Sequence, residues 1–242
     1  LAALQRWSER PRGALPAAAG ATDPGLRLAS ERETLDWLAT QGVPVVPCRL
    51  ATTAGAARAA FAAIGGPVVL KIASPDIAHK SDIGGVRLNL ASAEATAAAF
   101  DEVMAAARAH HPAARLEGCL VAPMRAAGLE LFVGTARTAW GMMLAVGLGG
   151  VWIEVLADTA LRPLPVSPAE VTEMLGTLRG SRLLAGHRGS PPADIPALAR
   201  AIAAIGDAAL ALGPALVSLE VNPLRVSGGE VEALDALAVW DD

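Results

Sequence analysis

PVVLKIASPDIAHKSDIGGVRL, residues 67–88, is the stretch on which the reading of this chain turns. Its opening run, 67–73, is short, continuous and apolar, bounded by glycine before and proline after, which is the pattern of a buried strand. A polar loop follows from Ser74, and Gly84-Gly85 closes it. VRLNL (86–90) then alternates like a second strand. The loop also carries an unusual choice of cations. Of twenty basic residues in the chain, eighteen are arginine, and the two lysines, Lys71 and Lys80, both fall here. Lysine meets phosphate as a compact point charge, whereas arginine demands a planar fork. Lys71 closes a rigid strand, and paired glycines let backbone amides approach a polyphosphate unobstructed. The plainer alternative is a solvated turn with two surface lysines. His79 lies between them, flanked by Asp76, Lys80 and Asp82. A histidine beside an acid that orients its ring can carry a covalent intermediate. His110, His111 and His187 have no such company.

Outward from the loop, helices and strands interleave, which predicts an α/β to α+β fold. On the N-terminal side, Ser30 and Glu33 form an S-x-x-E capping box for a helix ended by Gly42. Residues 43–51 are strand-like but interrupted by prolines, and an Ala-rich helix spans about 53–64. On the C-terminal side, Ser92 caps a helix to about His110. Strands are expected at 116–124, 129–136 and 141–148, extended chain over 152–166, and helices near 168–178 and 196–212. Residues 216–226 and 230–240 read as a hairpin around Ser227-Gly228-Gly229. In that pairing Asn222 and Asp235 approach one another, with Glu220 on the face of Asn222 and opposite Leu219 and Val221. Few oxygen ligands beside nucleotide phosphates suit magnesium. The bland alternative is a pair of solvent-facing strand charges.

Composition narrows the function classes. Net charge is −4, aromatic residues are 3% and tyrosine is absent, so neither a basic footprint nor a stacking platform for nucleic acid exists. The longest uncharged apolar stretch, 139–153, contains four glycines and falls short of the roughly 20 residues of a membrane span. Cys48 and Cys119 lack CxxC spacing and are expected as two buried free thiols in a reducing cytosol, which places the protein in the cytoplasm. The first residue is Leu1, consistent with a piece of a longer polypeptide.

Together these segments resemble the ATP-grasp component of NDP-forming acyl-CoA synthetases, relatives of ADP-forming acetate–CoA ligase and the succinyl-CoA synthetase β-subunit. The resemblance runs from about Ser30 to the C-terminus. Besides 67–88 it includes GLELFVGTA (128–136), VGLGGVWIEVLAD (146–158), SRLLAGHRGSPPADI (181–195), SLEVNPL (218–224) and ALDA (233–236). It implies an ATP-grasp fold of two subdomains, 30–125 and 126–242, with the nucleotide cleft between them. Residues 1–29 would be the end of a preceding CoA-ligase domain and its linker.

The resemblance also implies roles. Lys71, with Lys80, Ser81, Gly84 and Gly85 of the small lid loop, would hold the phosphates of ATP or ADP. Val121, Ala122 and Met124 would form the hinge at the adenine edge, and Glu130 would lie near the ribose. Asn222 and Asp235 would bind Mg²⁺, with Glu220 beside the transferred phosphoryl group and Arg188 helping to position it. His79 would take phosphate from a phosphohistidine on a CoA-binding partner and relay it to ADP. One departure is Ala122, where relatives often carry Gln or Glu. The implied reaction interconverts acid, CoA and ATP with acyl-CoA, ADP and phosphate. The partner would be a CoA-ligase domain in the same chain or a separate subunit, the complete enzyme a homo-oligomer. Two alternatives stay open: a nucleotide-binding regulatory module without turnover, to which Ala122 leans, and another ATP-grasp carboxylate ligase.

Overall fold

The computed structural model describes residues 25–77, 79–149, 158–186 and 190–241. Contacts divide the chain into two units. One contains Leu28–Asp36 and Val45–Ala127; the other contains Trp37–Pro44 and Gly128–Asp242.

The first unit begins with helix α1 (Glu31–Thr40), which runs on into the second unit. Its capping box is offset by one residue: Ser30 Oγ accepts from the Glu33 amide at 3.3 Å, but the Glu33 carboxylate accepts from Ala29 N at 2.7 Å rather than from Ser30. The elements β1 (Arg49–Ala51), α2 (Ala54–Ile64), β2 (Val68–Ala73), β3 (Val86–Leu90), α3 (Ala93–His110) and β4 (Gly118–Pro123) follow. Thr53 and Ser92 cap α2 and α3 by accepting from the third amide onward, which frees neither helix end to unravel. The prolines at 44 and 47 confine the strand of the 43–51 run to its last three residues, because proline cannot donate to a ladder.

The four strands form an antiparallel sheet of order β1-β4-β2-β3. Alternation sorts its two faces. Val68, Leu70 and Ile72 of β2 and Cys119 and Val121 of β4 pack with Ala57, Ala60, Phe100 and Val103 of the helices. Val69 and Lys71 therefore belong to the opposite face, opposite Ala122 and Leu120 in register. That face positions the candidate site.

The second unit holds β5 (Leu129–Thr138), β6 (Gly141–Leu148), β7 (Thr159–Pro163), α4 (Pro168–Thr177), α5 (Ile195–Ala211), β8 (Leu216–Ser227), β9 (Glu230–Ala233) and β10 (Ala236–Trp240). Its antiparallel sheet has the order β10-β8-β5-β6-β7, with β9 also on β8. The 230–240 segment, read from sequence as one strand, is broken at Leu234-Asp235. β9 pairs with one end of β8 and β10 with the other. Leu198, Ile202 and Ile205 of α5 are fully buried, as are Leu131, Val133, Leu219 and Val221 of the sheet. Among the described residues no helix is long and apolar enough to cross a membrane.

Asp158 is a structural residue that composition gives no reason to single out. It is buried, and its two carboxylate oxygens accept from Arg179 N and Gly180 N, each at 2.8 Å. These bonds seat the 3₁₀ turn Arg179–Ala185. Charge-assisted bonds of this kind contribute about 1.5–3 kcal/mol. Asp158→Ala is expected to cost roughly 2–3 kcal/mol and to lower Tm by roughly 4–10 °C in a domain of this size. Calorimetric unfolding checks it, and an unchanged Tm would contradict the assignment.

Candidate functional site

In the first unit, Lys71 is the fourth residue of β2, held between Val86 of β3 and Leu120 of β4. Its ammonium hydrogen-bonds Glu31 Oε1 at 2.9 Å, and Lys80 lies 3.1 Å from Glu31 Oε2 as an ion pair without hydrogen-bond alignment. The chain's two lysines thus converge on one carboxylate, whose side chain is only 6% exposed. Sequence reasoning missed Glu31. It stands one place after the cap of α1, where an acid is ordinary helix chemistry.

The loop that carries His79 is anchored on both sides of that residue. Ile77 and Ile83 are buried in the core of the first unit, while His79 between them is exposed. His79 precedes the 3₁₀ turn Lys80–Ile83, and its side chain caps nothing there. Asp76, expected beside His79, instead accepts from Arg115 N at 2.6 Å and braces the loop against the segment leading to β4. Lys80 is largely buried, whereas Ser81 is exposed and gives its carbonyl to Gly84 N. Gly84 has φ 68°, a left-handed conformation suited to glycine. A Cβ at Gly85 would stand 2.7 Å from Lys80 O and 2.8 Å from Ile72 Cγ2. The glycine pair therefore lets the turn close onto β2, where Ile72 N donates to Gly85 O at 2.8 Å.

Val121 and Ala122 are buried in β4, and Met124 follows it, half-buried. Ala122 shares the Lys71 face of the sheet. The Met124 amide donates to Pro67 O at 2.8 Å, so that group is engaged within the unit itself. Neither cysteine forms a disulfide. Burial pushes the Cys119 thiol up to about 12. Cys48 is half-buried rather than buried, and its thiol is also raised, by burial first and then by the negative charges of Glu31 and Asp36.

In the second unit, β8 turns Leu219 and Val221 inward and Glu220 and Asn222 to the other face. Asn222 Nδ2 lies 3.4 Å from Glu220 Oε1, and Asn222 N donates to Asp235 O at 3.1 Å. The hairpin register, the same at Leu224–Ala233 and at Val221–Ala236, thus sets Asp235 beside Asn222. Strand alternation places Glu130, exposed on β5, on the face of Glu220, which is opposite Gly134 in register. The donors are all oxygens, two carboxylates and one amide, a sparse hard set that fits magnesium with phosphate. No group of three or more His, Cys, Asp or Glu is assembled among the described residues, so a thiolate or imidazole metal site has no counterpart there. Arg188, and residues 150–157 of the 146–158 motif, lie outside the described residues.

Similarity to known proteins spans both units. The ATP-grasp domain family matches residues 20–239. The chain is 36% identical over 207 residues to the β subunit of acetate–CoA ligase [ADP-forming] I of Pyrococcus furiosus, covering 85% of this chain and 89% of that one. It is 39% identical over 195 residues to acetate–CoA ligase [ADP-forming] I of Archaeoglobus fulgidus, covering 80% of this chain and 28% of that protein. It therefore spans less than a third of the second relative's length. Acetyl-coenzyme A synthetase 1 of Ca. Korarchaeum cryptofilum, solved with coenzyme A and Ca-AMPCP, superposes with a TM-score of 0.83 at 33% identity, over 88% of this chain and 93% of that one. Another structure of that enzyme, with Mg-AMPPCP, has its phosphohistidine segment pointing towards the nucleotide binding site. The chain belongs to the ATP-grasp family, among the β-type components of ADP-forming acyl-CoA ligases.

Proposed function

We propose that this chain is the nucleotide-handling component of an ADP-forming acyl-CoA ligase and moves a phosphoryl group between ATP and His79. The observation that carries the reading is an exposed histidine on a loop pinned by Ile77 and Ile83, whose neighbour Lys80 shares Glu31 with Lys71. In the ATP-forming direction, phosphorus leaves the His79 ring nitrogen and bonds to a terminal oxygen of ADP; the reverse transfer breaks the bond between the γ-phosphorus and its bridging oxygen. Such transfers depend on positioning and charge neutralisation more than on covalent assistance. Lys71 and Lys80 offset phosphate charge, and the Gly84-Gly85 turn brings the backbone close. Ala122 and Met124 lie at the adenine edge and Glu130 near the ribose, while Val121 only adjoins them, its side chain turned into the helical core. Arg188 assists the phosphoryl group.

Asn222 and Asp235 hold Mg²⁺, with Glu220 beside the transferred group. Magnesium would supply charge neutralisation at the phosphate oxygens. A CoA-binding component, in the same polypeptide or as a separate subunit, provides the carboxylate and CoA chemistry and exchanges phosphate with His79. The two subdomains of this component are 30–125 and 126–242.

Calorimetry with the complete protein tests the metal half of the reading. Mg·ADP is expected to bind, and Asp235→Asn to weaken it by roughly tenfold, as loss of one charge-assisted contact does. Without magnesium, wild type and Asp235→Asn should bind ADP alike. Absence of nucleotide binding at millimolar concentration would reject the function; an Asp235→Asn variant that binds Mg·ADP like wild type would reject the metal assignment.

A further inference from the structure

We propose that Glu31 is a positioning residue that docks the His79-bearing segment by holding Lys71 and Lys80 together. The proposal rests on the reading of His79 as the phosphoryl carrier. Its basis is the geometry of one buried carboxylate. Glu31 Oε1 lies 2.9 Å from Lys71 on β2, and Oε2 lies 3.1 Å from Lys80, the residue after His79. The two ammoniums come from different elements, a rigid strand and a short 3₁₀ turn. Repulsion between them would drive the turn away from the strand. A single acid between them reverses that force. Glu31 is 8% exposed overall, and an acid is seldom buried to that extent unless it is paired.

The contact is placed to act on the loop selectively. From Ile77 onward the segment is also held by the Ile77 and Ile83 side chains, by Gly85 N donating to Lys80 O and Ile72 N donating to Gly85 O, each at 2.8 Å, and by Arg87 donating to Gly84 O at 2.7 Å. None of these bonds reaches the side chain of the residue adjoining His79. The Glu31–Lys80 pair does. It fixes the start of the turn, and with it where His79 stands when phosphate is transferred. Glu31 also leaves a net charge of +1 on the triad instead of +2, so its removal strengthens the field on a polyphosphate while loosening the loop.

The two effects have opposite signs in binding and turnover, a split that simple loss of structure does not produce. In the complete enzyme, Glu31→Gln is expected to bind Mg·ADP as tightly as wild type or up to several-fold tighter. Single-turnover phosphorylation of His79 by Mg·ATP should slow by tenfold or more. Amide hydrogen exchange over 79–85 should quicken by about tenfold, while β2 and β4 keep wild-type protection. Lys80→Met should reproduce the faster exchange through the other partner, and Lys80→Arg should restore protection. If Glu31→Gln folds poorly, Lys80→Met reads the same contact. Wild-type exchange in both variants, or an unchanged phosphorylation rate in Glu31→Gln, would overturn the proposal. Failure of the wild-type enzyme to phosphorylate His79 at all would instead reject the functional reading on which it rests.

Discussion

His79→Ala is expected to abolish acyl-CoA-dependent ATP formation, by a factor on the order of 10³ or more, while leaving Mg·ADP affinity within about twofold. Removing a covalent carrier eliminates a step rather than weakening it, so the loss falls in kcat and in kcat/KM alike. The structure makes this variant unusually clean. The imidazole is exposed and caps no helix, and substitutions of that kind change stability by about 0.5 kcal/mol or less. Loss of turnover with an unchanged Tm therefore reports chemistry. Quench experiments supply the direct measurement: wild type incubated with Mg·ATP should carry acid-labile, base-stable phosphate, and His79→Ala none. Equal labelling of the variant would remove His79 from the mechanism.

The same loop limits how the histidine can travel. Ile77 is 4% exposed and Ile83 9%, and pulling either from the core costs about 1.5–3 kcal/mol. A swing of the segment between the two isoleucines keeps both anchors. A larger excursion releases at least one, and that cost has to be met by contacts at the far end. Pro75 lies outside the anchored span; Gly84, with its left-handed backbone, adjoins Ile83.

Much of this arrangement was legible in the sequence because it follows from local rules. Thr53, Ser92 and Ser30 cap helices where hydroxyls precede apolar periodicity. The β2 strand, the glycine turn and β3 fall at the expected positions, since a continuous apolar run, a left-handed glycine and an alternating run each have one comfortable conformation. Asn222 and Asp235 meet because the 228–229 turn fixes the register of β8 on its return strands. The break at Leu234-Asp235 was not read from the return strand, where apolar residues continue on both sides; it falls opposite Asn222-Pro223, where proline has no amide to give the ladder. The partner of Asp76 was hidden for a related reason. Adjacency in sequence suggested His79, whereas the carboxylate turns to the Arg115 amide. Glu31 shows the deepest limit. No local pattern distinguishes a buried acid serving two distant lysines from a surface acid in a first helical turn.

Lys71→Ala is expected to have two separable consequences, and separating them tests the site most severely. The first is on ligand: one charge-assisted phosphate contact is worth about 1.5–3 kcal/mol, so Mg·ADP affinity should fall by roughly 10- to 100-fold. The second is on the fold. Lys71 is 14% exposed and its partner Glu31 6% in their side chains, so truncation leaves a buried carboxylate with Lys80 alone. Breaking a buried pair from one side costs about 3–5 kcal/mol, and the remaining Lys80 contact should hold the loss to roughly 2–3 kcal/mol. Adding Glu31→Gln removes the orphaned charge. The double variant should therefore be more stable in denaturant than Lys71→Ala, a non-additivity of about 1 kcal/mol or more between touching residues. Nucleotide affinity should not return, because no ammonium has been restored at position 71 of β2. Recovery of both stability and affinity in the double variant would mean that Lys71 acts on nucleotide only through the fold. Simple additivity in stability would mean that the buried pair contributes nothing as a pair. The expected outcome, stability regained and affinity still lost, requires Lys71 to serve as structural counter-ion and phosphate ligand from one position.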